Sequence, residues 1–94
     1  MIAFNFEAQP AKYARAAALV AGRSKSEGNI DAPQVVEAFG SLLRQLGLNR
    51  RLSELGVEAA DIRHLVADAR NPDLANNPRP MNDEDIVAVY THAL

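Results

Sequence analysis

The first apolar positions alternate. In "IAFNFEA", Ile2, Phe4 and Phe6 fall on one side of a period-two pattern, which predicts a strand or an extended arm with one adhesive face. No other stretch repeats that alternation, so the arm has no partner strand within the chain. Every later apolar run follows the helical period.

Pro10 suits the first turn of a helix, where a missing N–H costs nothing. In "AKYARAAALVAG", Tyr13, Ala16, Ala17 and Val20 share a face, and Gly22 is a natural stop. "RSKSEGN" reads as a polar loop. Asp31 then caps a second helix that has Pro33 in its first turn. Along it Val35, Val36, Phe39, Leu42, Leu43 and Leu46 trace an i, i+3/i+4, i+7 stripe, the clearest amphipathic run in the sequence, and Gly47 ends it. "RLSELG" predicts a short turn anchored by Leu52 and Leu55, capped by Ser53 and closed by Gly56. "VEAADIRHLVADARN" predicts a third long helix with Ile62, Leu65, Val66 and Ala69 inward. "PDLANNPRP" is a loop stiffened by its prolines. Asn82 caps the last helix, with Asp85 completing a variant of the capping box. Asp83, Glu84 and Asp85 complement the positive helix start, and Ile86, Val89, Tyr90 and Ala93 form its inner face.

The pattern therefore predicts an all-α fold: a small bundle or array of four main helices plus one short helix, with an extended N-terminal arm. Residues 1–94 read as a single helical domain, without internal repeats.

Composition narrows the functional classes. Ala, Leu and Val carry the apolar load, and aromatic residues make up only 5%, which favours helices over sheets. Ten basic and twelve acidic residues are mixed along the chain, and no basic run exceeds Arg50-Arg51. A nucleic-acid partner needs a concentrated basic face, so none is expected. No apolar stretch approaches the roughly 18 residues of a membrane span, and "MIAFNFEAQP" has no secretory-signal character. There are no cysteines, which removes disulfides, thiolate zinc sites and cysteine nucleophiles together and fits a cytoplasmic setting.

Little chemistry stands out. Asp61, His64 and Asp68 lie at i, i+3 and i+7, a set that could bind a divalent cation or exchange protons. The first and last would stand about 10 Å apart along a straight helix. A solvated face paired with Arg63 and Arg70 accounts for them better. His92 reads as a surface histidine near a helix C-terminus. Arg50 and Arg51 could meet a phosphate, but contacts to the preceding helix's last carbonyls explain them more simply. The glycines form no phosphate-cradling loop, and Ser41 and Ser53 lack a nucleophile elbow. In "NNPRP", Pro78 and Pro80 restrict the backbone on both sides of Arg79, which predicts a clamp onto carboxylates or helix-end carbonyls. A substrate or cofactor contact is the alternative for Arg79.

The order of segments is more specific than any one of them. "FN", "KYARAAALVAG", "LLRQLGLNRRLSELGV", "DIRHLVADAR" and "NNPRPMNDEDIVAVYTHAL" together resemble the C-terminal end of iron-containing alcohol dehydrogenases, from Met1 to Leu94. That resemblance implies a two-domain enzyme, in which an α/β domain binds NAD or NADP. A helical domain holds a divalent metal, iron or zinc, through Asp and His side chains, and the substrates are alcohols and their carbonyl partners. The Gly-rich nucleotide segment and the His-Gly metal-ligand context have no counterpart in these 94 residues. The resemblance accordingly assigns them no catalytic, cofactor-binding or metal-binding residue. It places only the loop from Asp73 to Arg79, with Asp73, Leu74, Asn76, Asn77 and Arg79, beside the catalytic cleft. It also accounts for the arm: Ile2, Phe4 and Phe6 would pack against the rest of a dehydrogenase, or mediate self-association. The alternative is a helical interaction or dimerisation module that shares the ancestry without the chemistry.

Overall fold

In the computed structural model, which describes residues 1–22 and 30–94, the described residues are helical or irregular and include no strand. The polar loop expected at residues 23–29 lies outside the described residues. The helices are α1 (Ile2–Asn5), α2 (Pro10–Val20), α3 (Ala32–Gln45), α4 (Ile62–Ala69) and α5 (Asp83–Ala93). Short 3-10 turns occupy Phe6–Ala8, Leu52–Leu55, Ala59–Asp61 and Pro72–Asn76. The chain forms two compact units, Met1–Asn49 and Arg50–Leu94.

In the first unit the expected extended arm is helical. The Asn5 N–H donates to the Met1 carbonyl at 2.9 Å, and the Phe6 N–H donates to that of Ile2. The reason is backbone accounting. An unpaired strand would leave its N–H and C=O groups without protein partners, whereas a helical turn pairs them locally. Ile2, Phe4 and Phe6 end up half-buried, and Asn5 between them is 5% exposed.

Helices α1 and α2 both pack on α3. Ala17 and Ala18 of α2 meet that interface, and Val35 of α3 is fully enclosed. The Asp31 cap is a complete capping box: the Gln34 N–H donates to Asp31 Oδ1 at 3.0 Å, and the Asp31 N–H to Gln34 Oε1 at 2.9 Å. The expected α3 stripe is only partly covered. Phe39 and Leu42 are half-buried, while Val36, Leu43 and Leu46 are exposed. The stripe is wider than the surface that two short helices can cover.

The second unit is built on α4 and α5, with Ile62, Val66, Met81 and Ile86 buried. The long third helix is shorter than the sequence predicts. The Asp61 carboxylate accepts the Glu58 N–H at 2.9 Å, so the segment starts as a 3-10 turn before α4. At the other end Asn71 precedes Pro72 and takes an extended conformation (φ −104°, ψ 168°), which halts the helix. Leu65 and Ala69 are half-buried as expected, whereas Ala93 of α5 is exposed.

The "RLSELG" turn forms, and Gly56 closes it with φ +87°. Its cap residue is Arg51, whose N–H donates to Glu54 Oε2 at 2.8 Å, in place of the expected Ser53. Ser53 instead points its hydroxyl at the main-chain oxygen of Leu94, at 2.6 Å. Arg51 Nη2 donates to the His92 carbonyl at 2.9 Å. The arginine thus serves the end of α5, not the helix before it, and satisfies a carbonyl with no partner inside its own helix. Leu55 is exposed, so Leu52 alone of the two expected anchors is partly buried.

Candidate functional site

The stiff loop is the segment with a sequence-based claim on chemistry, and its geometry is local. Asn71 Oδ1 accepts the Asp73 N–H at 2.9 Å, opening the Pro72–Asn76 turn. The Leu74 N–H donates to the Asn71 carbonyl, and the Asn77 N–H to that of Leu74, each at 3.1 Å. Asn77 precedes Pro78 and is extended (φ −64°, ψ 134°), as a residue before proline must be. Its side-chain amide donates to the Arg79 carbonyl at 2.6 Å and folds the chain across Pro78.

A residue outside the expected set fastens this loop. Arg70, at the C-terminal end of α4, donates from Nε to Asp83 Oδ1 at 2.6 Å, and its Nη2 lies 2.5 Å from the same oxygen. Nη1 reaches the Met81 carbonyl at 3.5 Å. The guanidinium therefore spans from the end of one helix to the first turn of the next, closing the loop between them. Beyond it α5 begins with a full capping box: Asp85 N–H to Asn82 Oδ1 at 2.8 Å, and Asn82 N–H to Asp85 Oδ2 at 3.0 Å.

Within this frame lies a shallow depression of about 360 Å³, lined by Arg70, Asn71, Leu74, Ala75, Asn77, Pro80 and Met81. Two of the five expected cleft-side residues, Leu74 and Asn77, line it. Asp73 and Asn76 are exposed and do not, and half-buried Arg79 is not in its lining. Arg70, expected to pair along its own helix face, is the arginine that joins α4 to α5. The available signal was an arginine at a helix end, thirteen residues before an aspartate in the next helix's first turn.

Asp61, His64 and Asp68 do not assemble. Asp61 is committed to the Glu58 N–H, and His64 and Asp68 are exposed. Among the described residues no group of three or more His, Cys, Asp or Glu side chains could hold a metal ion. No helix among them is long and apolar enough to cross a membrane.

The comparisons extend this picture. The profile of the Fe-containing alcohol dehydrogenase family, C-terminal, matches residues 1–94. The 1,3-propanediol dehydrogenase of Klebsiella pneumoniae is 28% identical over 92 residues, which is 96% of this chain and 24% of that enzyme. The enzyme of the same name from Citrobacter freundii is 26% identical over 92 residues, with the same shares of the two chains. The chain thus spans about a quarter of the length of these curated relatives. No solved structure is significantly similar to it. On the match over its whole length, the chain belongs to the Fe-containing alcohol dehydrogenase family and corresponds to its C-terminal part.

Proposed function

We infer that these residues serve as the C-terminal helical part of an NAD(P)-dependent, metal-containing alcohol dehydrogenase and do not turn over alcohols by themselves. The observation that carries this reading is the family match over residues 1–94, combined with coverage of 24% of the relatives. In such an enzyme NAD(P) accepts hydride and a divalent metal, iron or zinc, polarises the alcohol oxygen. In this reading both are held by residues of the enzyme outside these 94. The substrate class is a small primary alcohol, on the strength of two relatives that both carry the name 1,3-propanediol dehydrogenase. The setting is cytoplasmic.

In this reading the Asp73–Arg79 loop stands beside the cleft, with Leu74 and Asn77 on its inner side. The half-buried Ile2, Phe4 and Phe6 surface contributes to association with the rest of a dehydrogenase or with a second copy. The test is direct. The purified 94-residue chain is assayed with 1,3-propanediol, NAD or NADP, and iron or zinc. A chimaera in which these residues replace the matching stretch of the Klebsiella enzyme is assayed in parallel. The expected result is no turnover by the chain and metal-dependent turnover by the chimaera. Turnover by the chain alone overturns the reading.

A further inference from the structure

Arg50-Arg51 is the only adjacent basic pair in the chain, and the fold uses one half of it. Arg51 Nη2 holds the His92 carbonyl at 2.9 Å. Arg50 is exposed, and among the described residues its guanidinium has no hydrogen-bond or ion-pair partner. Ser53 follows the pair, three residues after Arg50 and two after Arg51. It is exposed on the short turn Leu52–Leu55, whereas Ser41 is half-buried inside α3. Residues 48–51, which lead into the turn, have no regular secondary structure, and Arg51 is extended (φ −89°, ψ 156°). An accessible hydroxyl, reached along an irregular segment that carries two guanidinium groups, is a pattern that a kinase reads with carboxylates in its peptide groove.

We propose that Ser53 is a phosphorylation site for a serine kinase that selects arginine ahead of its acceptor, and that the phosphate releases the end of α5. Ser53 Oγ attacks the γ-phosphorus of ATP, the bond to the bridging oxygen breaks and ADP leaves. The hydroxyl proton passes to the kinase's catalytic carboxylate. Before transfer, that hydroxyl donates to the main-chain oxygen of Leu94 at 2.6 Å, and the Ser53 N–H reaches the same oxygen at 3.3 Å. Afterwards Oγ has no proton to donate, and a phosphate of about −1.5 to −2 charges stands against the negative end of α5. Glu54, whose carboxylate accepts the Arg51 N–H at 2.8 Å, adds to the repulsion. Arg51 gains a stronger acceptor than the His92 carbonyl. Both side-chain links between the turn and the end of α5 are then lost. This switch stands apart from the dehydrogenase reading, so either can fail without the other.

The purified 94-residue chain is incubated with a serine kinase of this selectivity and Mg²⁺-ATP, and the product is mapped by peptide mass spectrometry. The expected product carries one phosphoryl group, on Ser53. Arg50→Gln breaks no contact among the described residues, and it should slow the transfer about tenfold by removing a charge-assisted contact to the kinase. Amide exchange is then compared in the phosphorylated and unmodified chains. The amides of His92, Ala93 and Leu94 should quicken on phosphorylation, and those of α3 should not. The gain should exceed that in Ser53→Ala, which loses the hydroxyl bond and keeps Arg51 on His92. Transfer to Ser24 or Ser26 in place of Ser53, or an unchanged rate in Arg50→Gln, overturns the site. So does a chain that takes no phosphate while a peptide of residues 48–57 does, because the fold then shields Ser53. Unchanged exchange at the end of α5 after phosphorylation, or a gain no larger than that of Ser53→Ala, overturns the switch.

Discussion

Arg70 and Asp83 meet through two guanidinium nitrogens on one carboxylate oxygen, 2.6 Å from Nε and 2.5 Å from Nη2. The pair joins the end of α4 to the start of α5 and closes the Asn-Pro-Arg loop. Its side chains are 44% and 70% exposed, so water and salt screen it. A double-mutant cycle with Arg70→Met and Asp83→Asn should give a coupling of about 0.3–1 kcal/mol at low salt, shrinking toward zero near 1 M. The larger consequence is local. Amide hydrogen exchange at Leu74 and Asn77 should quicken in Arg70→Met more than at buried Ile86. Arg70→Lys should restore only part of the protection, because a single ammonium cannot span both Asp83 and the Met81 carbonyl. Unchanged exchange in the loop would show that the prolines alone hold it.

Val35 and Val36 are neighbours in sequence with opposite environments, 0% and 41% exposed. Val35→Ala removes two buried carbon groups and leaves a cavity beneath α1 and α2, a cost of about 1.5–3 kcal/mol. Val36→Ala should cost under about 0.7 kcal/mol in the chain alone. Urea denaturation followed by circular dichroism measures both. Equal losses would mean that α3 is rotated from the orientation described here.

The contrast between these two valines shows where sequence reading succeeds and where it stops. Periodicity put Val35, Ile62, Val66 and Ile86 on inner faces, because apolar spacing and burial report the same physical demand. It put Val36 and Leu43 inward too, because a stripe states what a helix can bury and not how much partner surface is at hand. Caps were equally legible at Asp31 and Asn82, where the chemistry is complete within four residues. The arm was misread because alternation of Ile2, Phe4 and Phe6 fits a strand only when a second strand exists. Around the loop, prolines announced rigidity at Pro78 and Pro80. The Arg70–Asp83 pair was harder to read, because thirteen residues separate the two and Asp83 is one of three acidic residues that open α5.

The two capping boxes offer a test with the same expected size in separate units. Asp31→Ala leaves the Gln34 N–H without its side-chain acceptor, and Asn82→Ala does the same to the Asp85 N–H. Each should destabilise its own helix by about 0.5–2 kcal/mol, seen as faster exchange of the first-turn amides of α3 and α5 respectively. Asp31→Asn should recover most of the loss, since an amide oxygen caps nearly as well as a carboxylate. If Asp31→Ala instead disturbs exchange equally in α4 and α5, the two units do not unfold separately.

Gly40 and Gly56 should respond to alanine with opposite signs. Gly56 closes its turn at φ +87°, a conformation in which a Cβ crowds the backbone, so Gly56→Ala should cost about 1–2 kcal/mol. Gly40 is helical, and a Cβ there meets only the tip of Arg44 at 3.4 Å. Gly40→Ala should therefore stabilise the isolated chain by about 0.5–1 kcal/mol, through restricted unfolded-state freedom and better helix propensity. Chemical denaturation of both variants gives the signs directly. A chain that gains stability on losing Gly40 keeps that glycine at a cost to itself.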